Sequence, residues 1–491
     1  TQTASESAES GKITKTDIVV GQASDIVTLD PAGQQDTTSG VLMKHAYSTL
    51  LDVDNEGKVV PDLAESYEMK SDTEYVFKLR EDACFWDGTP VTAQDVKFSL
   101  DRAKGMPKTK SNTSKIEEVT VNGDHEVTIK LTEPYAAFKT IVTQHNLSIL
   151  SEKAVTEAGD SYGDVDNLLG SGPFKVTEWV PNDHYTLVRN DNYWGEMPIA
   201  TSITCRVIPE GSARTIALEA GEIDVVWSVD PTDCANVESN PDVKLLSQPS
   251  TGIDYVGMNT QKEKFSDKRV RQAINYALDK QTFVDTIIEG RGLVANSYIN
   301  AAIPGWTDEV EAYPYDPEKA KELLAEAGYP DGFECSIFVN GDLRTRSAQI
   351  LQAQLADVGI KVDISTYEWG ALLDTLNAGE HEMFLLGWSN TSFDPDGSTY
   401  QLFYSGNHGA TGNRAFFSND KVDELILSAQ RESEESKRME LYKELQFVLH
   451  DESPWCPLYY KENNVGVRAD LKGFTLHAGA QHYLGNCHYE E

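Results

Sequence analysis

The 491-residue chain exceeds what one hydrophobic core usually supports, so we expect at least two lobes. Its formal net charge of -37 at pH 7 excludes nucleic acid as a partner, because the phosphates would be repelled. With 40% apolar and 25% charged residues the composition is that of an ordinary globular protein, and no window approaches the ~20 consecutive apolar residues that a membrane-spanning helix requires.

The chain begins with TQTASESAES, which is small, polar and acidic, and we expect a disordered linker over 1–15. No apolar secretory segment is present there, so we expect that any signal peptide has been removed. The six cysteines are scattered without a CxxC pair. We interpret most of them as buried small apolar residues, with one disulfide left open as an alternative.

The region after residue 50 carries a series of short local signals. Asn55-Glu56-Gly57 and Trp86-Asp87-Gly88 each predict a tight turn. Alternating apolar residues over 73–79 predict a half-buried strand. Thr92 predicts the start of a helix, because Asp95 stands three residues later, where a capping box places its acidic partner.

The rest of the chain alternates predicted strands and helices, which indicates α/β lobes. Asp316-Pro317 and Gly328 predict the two ends of one helix. Further helices are predicted over 213–220, 346–358 and 372–378, and strands over 223–227, 360–367 and 383–386. Each such unit brings the carboxyl end of its strand to a loop, where ligands bind in open α/β sheets.

Five sequence blocks occur in a characteristic order: VPDLAESY with FWDGTPVTAQDV, GSGPFKVTEWVPNDHYTLVRNDNYWG, IPEGSARTIALEAGEIDVV, MNTQKEKFSDKRVRQAINYALDKQTFVDTIIEGRG, and YEWGALLDTLNAGEHEMFLLGWSNTSFDPDG. Together they resemble the extracytoplasmic solute-binding proteins of ABC importers in the peptide/nickel family (family 5). The last block is most similar to the dipeptide/oligopeptide-binding branch.

The resemblance implies the two-lobed α/β fold of type II periplasmic-binding proteins, with an extra subdomain in lobe I. Lobe I would comprise 16–256 plus 471–491, with the subdomain inserted at about 47–168, and lobe II would comprise 257–470. The two chain crossings, near 256–259 and 468–473, would form the hinge, since both contain glycine.

The resemblance also places the ligand beside the segment that follows Gly387. We expect its tryptophan to form an apolar wall, with packing in the core as the alternative, and the following backbone to run along the ligand. Two further tryptophans are weaker wall candidates. These ligand-binding candidates are Trp388, Ser389, Asn390 and Thr391, with Trp369 and Trp227.

One position departs from the family pattern. Peptide-binding relatives carry an acidic residue three positions after this tryptophan, where it pairs with the ligand's α-ammonium group, and this chain has Thr391 there. A hydroxyl can hydrogen-bond an ammonium group but cannot neutralise it. Asp394 would substitute if its loop bends inward, and a turn before Pro395 is the alternative. Without a substitute, a modified, N-blocked or non-peptide ligand is favoured.

Other candidates would bind the ligand's carboxylate and polar groups. Arg344 and Arg346 stand in the loop entering the predicted 346–358 helix, roughly where relatives place an anion-binding arginine, and the sequence does not choose between them. In lobe I, Thr37, Thr38 and Ser39 would supply hydroxyls, or would belong to a polar surface loop.

We predict no metal site and no cofactor. Asp52-Val53-Asp54 begins like a calcium loop, but Leu63 stands where a bidentate Glu is required, so we expect a hairpin turn. The histidines near the C-terminus match no zinc spacing. A nickel role would use His381 or His408.

The resemblance implies a substrate-binding subunit that captures short peptides or peptide-like solutes between two lobes and delivers them to a permease. Binding of nickel or another non-peptide solute and a sensory receptor role are the alternatives. No catalytic motif such as GxSxG, HExxH or a P-loop is present, so we expect no enzyme and a separate ATPase chain. We expect a monomer outside the cytoplasm, lipid-anchored to the outer face of a Gram-positive membrane or otherwise periplasmic.

Overall fold

The computed structural model describes residues 12–491. Its strands are β1 (Ile13–Lys15), β2 (Asp17–Gln22), β3 (Leu51–Val53), β4 (Val59–Pro61), β5 (Ala64–Ser71), β6 (Glu74–Leu79), β7 (Ile116–Gly123), β8 (Glu126–Leu131), β9 (Phe174–Val180), β10 (His184–Arg189), β11 (Ser202–Val207), β12 (Val225–Val226), β13 (Val243–Met258), β14 (Gly292–Val294), β15 (Phe333–Val339), β16 (Ile360–Thr366), β17 (Met383–Ser389), β18 (Trp455–Arg468) and β19 (Tyr489–Glu490).

The α-helices are α1 (Thr37–Ala46), α2 (Ala93–Lys104), α3 (Lys110–Thr113), α4 (Phe138–Ile141), α5 (Glu152–Ala158), α6 (Gly211–Glu219), α7 (Pro231–Ser239), α8 (Glu263–Ser266), α9 (Lys268–Ala277), α10 (Lys280–Thr286), α11 (Pro317–Glu326), α12 (Gly341–Ala356), α13 (Trp369–Asn377), α14 (Asp396–Phe403), α15 (Asp420–Arg431) and α16 (Glu435–Glu452). Short 3-10 helices cover Pro31–Gly33, His145–Leu147, Gly159–Ser161, Val165–Asn167, Ser405–Asn407 and Gly409–Thr411.

One sheet of eleven strands runs through both lobes, in the order β16-β15-β17-β13-β18-β12-β2-β11-β10-β9, with β14 also paired to β18. The two central strands, β13 and β18, are 16 and 14 residues long and pair antiparallel. Lobe I lies on the side of β12, β2 and β9 to β11, and lobe II lies on the side of β14 to β17. Strands β13 and β18 therefore connect the lobes twice.

The pairing of β13 with β18 is irregular at two places: the register shifts between Pro249 and Ile253 and again between Asp254 and Tyr255. Near the shift between Pro249 and Ile253, the buried side chains of these two strands pass from the core of lobe I to the cores of lobe II. Val465 and Val467 pack in the lobe I core, whereas Ile253 and Leu458 pack in lobe II. We therefore place the hinge near 249–252 and 461–464.

This hinge lies earlier in both crossings than the predicted one. Gly257, on which the first predicted crossing rested, is embedded in lobe II: a Cβ there would lie 2.1 Å from Cζ of Phe384. At the second crossing, the Arg468 N–H donates to the Asp224 carbonyl of lobe I. Both glycine-containing segments are thus held within a lobe, which favours the earlier position.

The extra subdomain is built on the antiparallel sheet β5-β6-β8-β7. Its core runs from Leu50 to Ile149. Leu150, Val155 and Tyr162 pack instead in the lobe I core. The subdomain therefore ends nearer residue 149 than the predicted 168.

Several local predictions are confirmed. The Thr92 N–H donates to Asp95 Oδ2 at 2.9 Å, and α2 begins at the next residue. Asp316 caps α11 by accepting a hydrogen bond from the Lys319 N–H. The loop that begins like a calcium site is the turn of the β3–β4 hairpin, in which the Asp54 N–H donates to the Lys58 carbonyl.

Other boundaries differ from the prediction. Helix α12 begins at Gly341, five residues before the predicted start, and α13 begins at Trp369 rather than 372. Residues 341–346 of α12 contain a single apolar side chain, Leu343, which is too few to show helical apolar spacing there. Residues 1–11 of the predicted linker lie outside the described residues. Its end is ordered, because β1 pairs with β19 and Lys15 Nζ lies 2.9 Å from the Asp224 carboxylate.

The six cysteines, all within residues 12–491, are unpaired; five are buried and Cys84 is half-buried. Across the same residues, the helices lack the combination of length and apolar character that crossing a membrane requires.

The GSGPF block forms a close backbone contact with the end of α1. A Cβ at Gly170 would lie 2.1 Å from the Ala46 carbonyl oxygen, and one at Gly172 would lie 2.5 Å from the Ala46 carbonyl carbon. The Gly172 N–H also donates to that carbonyl oxygen at 3.0 Å. Glycine is therefore required where the chain entering β9 meets α1, and this contact fixes the position of α1.

We predict that Gly172→Ala lowers the free energy of unfolding by about 1–3 kcal/mol, because backbone atoms cannot yield as flexible side chains do. Gly370→Ala is the matched control, since a Cβ there meets no atom within 4 Å and α13 should gain up to about 1 kcal/mol. Urea unfolding measures both. A Gly172→Ala protein as stable as the wild type would contradict the contact.

Candidate functional site

A cavity of about 400 Å³ lies between the two lobes, at the crossing of β13 and β18. Lobe I contributes the N-terminal turn of α1 and the loops around Asn146, Trp227 and Gln481. Lobe II contributes the end of β17, the first turns of α12 and α13, and Arg414. The volume falls within the range of about 300–1,000 Å³ that is typical of small-molecule sites.

All three predicted tryptophans line this cavity. Trp388 and Trp369 lie on the lobe II side and Trp227 on the lobe I side. The Trp227 ring stacks on the His482 imidazole, with 5.3 Å between ring centroids. Trp388 also packs against the lobe II core, and its Nε1–H donates to the Gly397 carbonyl at 3.0 Å. The wall and core interpretations of Trp388 therefore both apply.

The segment after Gly387 only partly faces the cavity. Trp388, Ser389 and Thr391 line it. Asn390 is buried beneath, where its side-chain amide donates to the Asp394 carbonyl and to Ser398 Oγ, each at 2.7 Å. The sequence predicted all four residues beside the ligand, and three of them line the cavity.

The strand edge beside this segment is open. On one edge, β17 pairs with β13 as far as Ser389 opposite Gly252. On the other edge its pairing with β15 ends at Phe384. The backbone from Leu385 to Ser389 thus has no strand partner on that edge within residues 12–491.

Asp394 does not turn into the cavity. Its carboxylate forms a buried ion pair with Arg438, with 2.9 Å between Asp394 Oδ2 and a guanidinium nitrogen. Arg438 is 4% exposed, so it requires this counter-charge. The suggested substitution of Asp394 for the missing acid is therefore wrong. Thr391 Oγ1 instead donates to Gln144 Oε1 at 2.9 Å, across the two lobes.

The two candidate arginines have different positions, and both lie inside α12 rather than in the loop before it. Arg344 lines the cavity; its guanidinium carbon lies 5.8 Å from the centroid of the Trp369 ring, and its Nε has no hydrogen-bond partner within residues 12–491. Arg346 lies outside the cavity and donates to both oxygens of Asp230 at 3.0 Å. Of these two arginines, only Arg344 lines the cavity.

The lobe I loop also divides. Thr37 and Thr38 line the cavity in the first turn of α1. Ser39 points away: its hydroxyl accepts a hydrogen bond from the Val27 N–H at 3.0 Å, and it is fully buried. Thr37 and Thr38 therefore belong to a helix N-terminus that faces the cavity, and the alternative of a polar surface loop does not apply to them.

The sequence did not reveal five charged residues of the wall: Asp36, Arg291, Arg414, Lys461 and Glu462. Asp36 caps α1, and burial raises the pKa of its carboxyl. An Asp before a helix start is a usual N-cap signal, so the helix could have revealed it. Arg414 lies in an irregular loop, which carries no periodic signal.

Two histidines, His145 and His482, also line the cavity, and burial lowers the pKa of each to about 3. His482 Nδ1 accepts a hydrogen bond from the His477 N–H at 3.0 Å, so this nitrogen is unprotonated. The nickel candidates lie elsewhere: His381 Nε2 contacts the Arg414 carbonyl and His408 Nε2 the Phe417 carbonyl. Residues 12–491 contain no cluster of three or more His, Cys, Asp or Glu side chains suited to a metal.

Comparison with known proteins agrees with this architecture. The model described as bacterial extracellular solute-binding proteins, family 5 Middle, matches residues 58–410. The glutathione-binding protein GsiB of Shigella boydii is 32% identical over 479 residues, covering 94% of this chain and 92% of that protein.

Two solved structures share the fold over nearly the whole chain. DppA of Helicobacter pylori, an ABC transporter-associated periplasmic binding protein in complex with the peptide STSA, is 28% identical, with a TM-score of 0.92 and coverage of 98% and 99%. AgaA of A. tumefaciens R10, in complex with agropinic acid, is 27% identical, with a TM-score of 0.91 and coverage of 97% and 99%.

We predict that Asp394→Ala lowers the free energy of unfolding by about 3–5 kcal/mol, because it leaves the Arg438 charge buried and unpaired. Glu334→Ala is the control: it breaks an ion pair with Lys361 in which both side chains are exposed, and should cost no more than about 1 kcal/mol. Chemical unfolding of both variants measures the two losses. Equal small losses would contradict the structural role of Asp394.

We predict that His482→Asn weakens the pH dependence of stability. The pKa of about 3 in the folded protein lies below the ordinary 6.5, so the unfolded chain takes up this proton first. The contribution of His482 is fully present above pH 6.5 and is lost as the pH falls towards 3. The variant should remove up to about 1.4 kcal/mol per pH unit from that slope, measured by urea unfolding between pH 7 and 4.

His184→Asn provides the control for the pH series. Hydrogen bonds from its ring to Asp183 and Glu178 raise the pKa of His184, which lies at the surface. Its contribution to stability therefore has the opposite sign, and its loss should make the decline towards acid slightly steeper. An unchanged slope for His482→Asn would show that this imidazole is not held neutral.

Proposed function

Because the chain belongs to the bacterial extracellular solute-binding proteins of family 5, we propose that it captures a short peptide or peptide-like solute in the cavity between its lobes, as the substrate-binding subunit of an ABC importer. The observation that carries this proposal is the cavity itself. Its wall combines an open strand edge, three tryptophans and charged groups of both signs, contributed by both lobes.

The open edge of β17 suits a peptide backbone. An extended ligand needs partners for its N–H and C=O groups, and an unpaired strand edge supplies them without selecting side chains. Trp388 lies on this edge, with Trp369 and Trp227 also in the wall. Rigid aromatic side chains enclose variable groups at little entropic cost.

Contacts across the cleft support a mechanism of capture by closure. Arg346 pairs with Asp230, and Arg291 pairs with Glu238 at 2.8 Å, each joining lobe II to lobe I. A solute that contacts both walls favours the closed state by the difference between its affinities for the closed and open states. The permease would then receive the closed, loaded form.

The relatives support a range of solutes. One is named for glutathione, one was solved with a tetrapeptide and one with agropinic acid. A second candidate ligand class, N-blocked or non-peptide solutes, is favoured by a specific observation: Thr391 stands in place of the usual acid and is engaged with Gln144. A metal complex would meet His145 and His482 in the wall.

Membership of the family supports further proposals about partners, oligomeric state and membrane anchoring. The partners would be an ABC permease and a separate ATPase, and the protein would act as a monomer without catalytic activity. The acidic, small-residue start of the chain resembles the linkers that join a lipid anchor to the folded domain in Gram-positive relatives. A sensory role would use the same cavity and would differ in the partner alone.

A thermal-shift scan tests the ligand class. The panel contains di-, tri- and longer peptides, their N-acetylated counterparts and nickel. A ligand at 100-fold its Kd should raise the apparent free energy of unfolding by about 2.7 kcal/mol. Shifts with peptides support the proposal, and loss on acetylation shows that an ammonium partner exists. Shifts only with blocked or non-peptide compounds favour the second class, and no shift with any of these peptides contradicts peptide capture.

A further inference from the structure

Two groups of opposite charge, the half-buried Asp36 and the buried Arg414, face the cavity from opposite lobes with unused bonding capacity. Asp36, from lobe I, caps α1 through Oδ1, which accepts a hydrogen bond from the Ser39 N–H at 2.9 Å. Its Oδ2 is buried without a hydrogen-bond partner in residues 12–491. Arg414, from lobe II, is 6% exposed, and Nε donates to Asn377 Oδ1 at 3.0 Å. Both residues line the cavity.

The loops that carry these two residues touch. Gln35 Nε2, next to Asp36, donates to the Thr411 carbonyl, three residues before Arg414, at 3.4 Å. The negative charge of Asp36 also acts on Arg414, where it opposes the lowering of the guanidinium pKa by burial. The Trp369 indole N–H, in the same wall, makes no close hydrogen bond in residues 12–491, but it acts on the Asp36 carboxyl as a weak donor that lowers its pKa.

The other cavity cations already have counter-charges. Lys461 Nζ lies 2.7 Å from Asp254, and Arg344 lies 3.8 Å from the same carboxylate. Arg291 pairs with Glu238. Arg414 has no carboxylate within 4 Å in residues 12–491. Asp36 has no cation within that distance, and Lys108 acts on its carboxyl only from further away. A buried charge without a counter-charge is costly, so a ligand that supplies both would stabilise the closed lobes.

We propose that the ligand presents a zwitterionic α-amino-acid head between these residues, with its α-ammonium group on Asp36 and its α-carboxylate on Arg414. The inference rests on the proposed function and specifies its substrate class. The ammonium partner comes from lobe I and replaces the acid absent at Thr391. A guanidinium matches a carboxylate with two parallel hydrogen bonds, and closure brings the two receiving groups together.

This arrangement selects ligands by linkage. An ordinary peptide carries its ammonium and carboxylate groups at opposite ends of the chain. A γ-linked peptide, or an amino acid substituted on its side chain, keeps both charges on one carbon. The protein should therefore prefer a γ-glutamyl compound over its α-linked isomer, although the two have the same composition and the same net charge.

Isothermal titration of the wild-type protein with γ-glutamyl-alanine and α-glutamyl-alanine tests the preference. We expect the γ isomer to bind about 10–100-fold more tightly, the factor expected for one charge-assisted hydrogen-bonded pair. Amidation of the α-carboxylate of the γ isomer should weaken its binding by a similar factor, and so should acetylation of its α-ammonium group. These measurements need no variant and decide the question even where a substitution impairs folding.

Two variants then assign the partners. Arg414→Gln should weaken binding of γ-glutamyl-alanine about 10–100-fold and leave binding of the amidated compound unchanged. Asp36→Asn, which keeps a capping oxygen for α1, should also weaken binding of γ-glutamyl-alanine about 10–100-fold. It should leave binding of the acetylated compound unchanged. Arg269→Gln is the control, because Arg269 pairs with Asp267 on an exposed helix start away from the cavity.

The outcomes separate the two proposals. An α isomer that binds as tightly as the γ isomer, or an Arg414→Gln protein with an unchanged Kd for the γ isomer, overturns the zwitterionic head and leaves solute capture intact. Absence of binding by peptides of either linkage overturns this inference together with peptide capture.

Discussion

The antiparallel pairing of β13 with β18 is the constraint on which the rest of the structure depends. These strands carry one continuous sheet through both lobes, so the lobes share a backbone rather than a linker. We place the hinge of that sheet at the register shift between Pro249 and Ile253. The cavity lies at this crossing, with Lys461 and the end of β17 beside it. A bend there changes the distance between the walls and moves little else.

Charge compensation determines which wall residues are available to a solute. Asp254, 2% exposed, lies beneath the cavity and balances Arg344 and Lys461. Asp394 is committed to Arg438 and so cannot serve the ligand. What remains is Glu462 at the hinge, one carboxylate from lobe I, Asp36, and one guanidinium from lobe II, Arg414. The distribution of counter-charges, more than the number of charged residues in the wall, accounts for the specificity we propose.

The parts of the molecule that local chemistry determines could be predicted from the sequence. The Thr92 cap, the Asp316 cap and the position of the tryptophans near Gly387 follow from short-range patterns and from the resemblance to the family. Long-range pairing could not be predicted. Nothing near Asp394 in the sequence indicates Arg438, 44 residues away, and the irregular loop of Arg414 has no periodicity. The start of α12 carries only one apolar side chain, Leu343, so the sequence did not reveal that Arg344 and Arg346 lie in a helix rather than a loop.

The central claim is that a solute closes the two lobes about the β13–β18 crossing. Small-angle X-ray scattering tests it most directly, on protein unfolded and refolded to remove any bound solute. The measurement compares the radius of gyration with and without a saturating ligand, with saturation confirmed by calorimetry. We predict a smaller radius of gyration in the presence of the ligand. An unchanged radius at full saturation would contradict capture by closure.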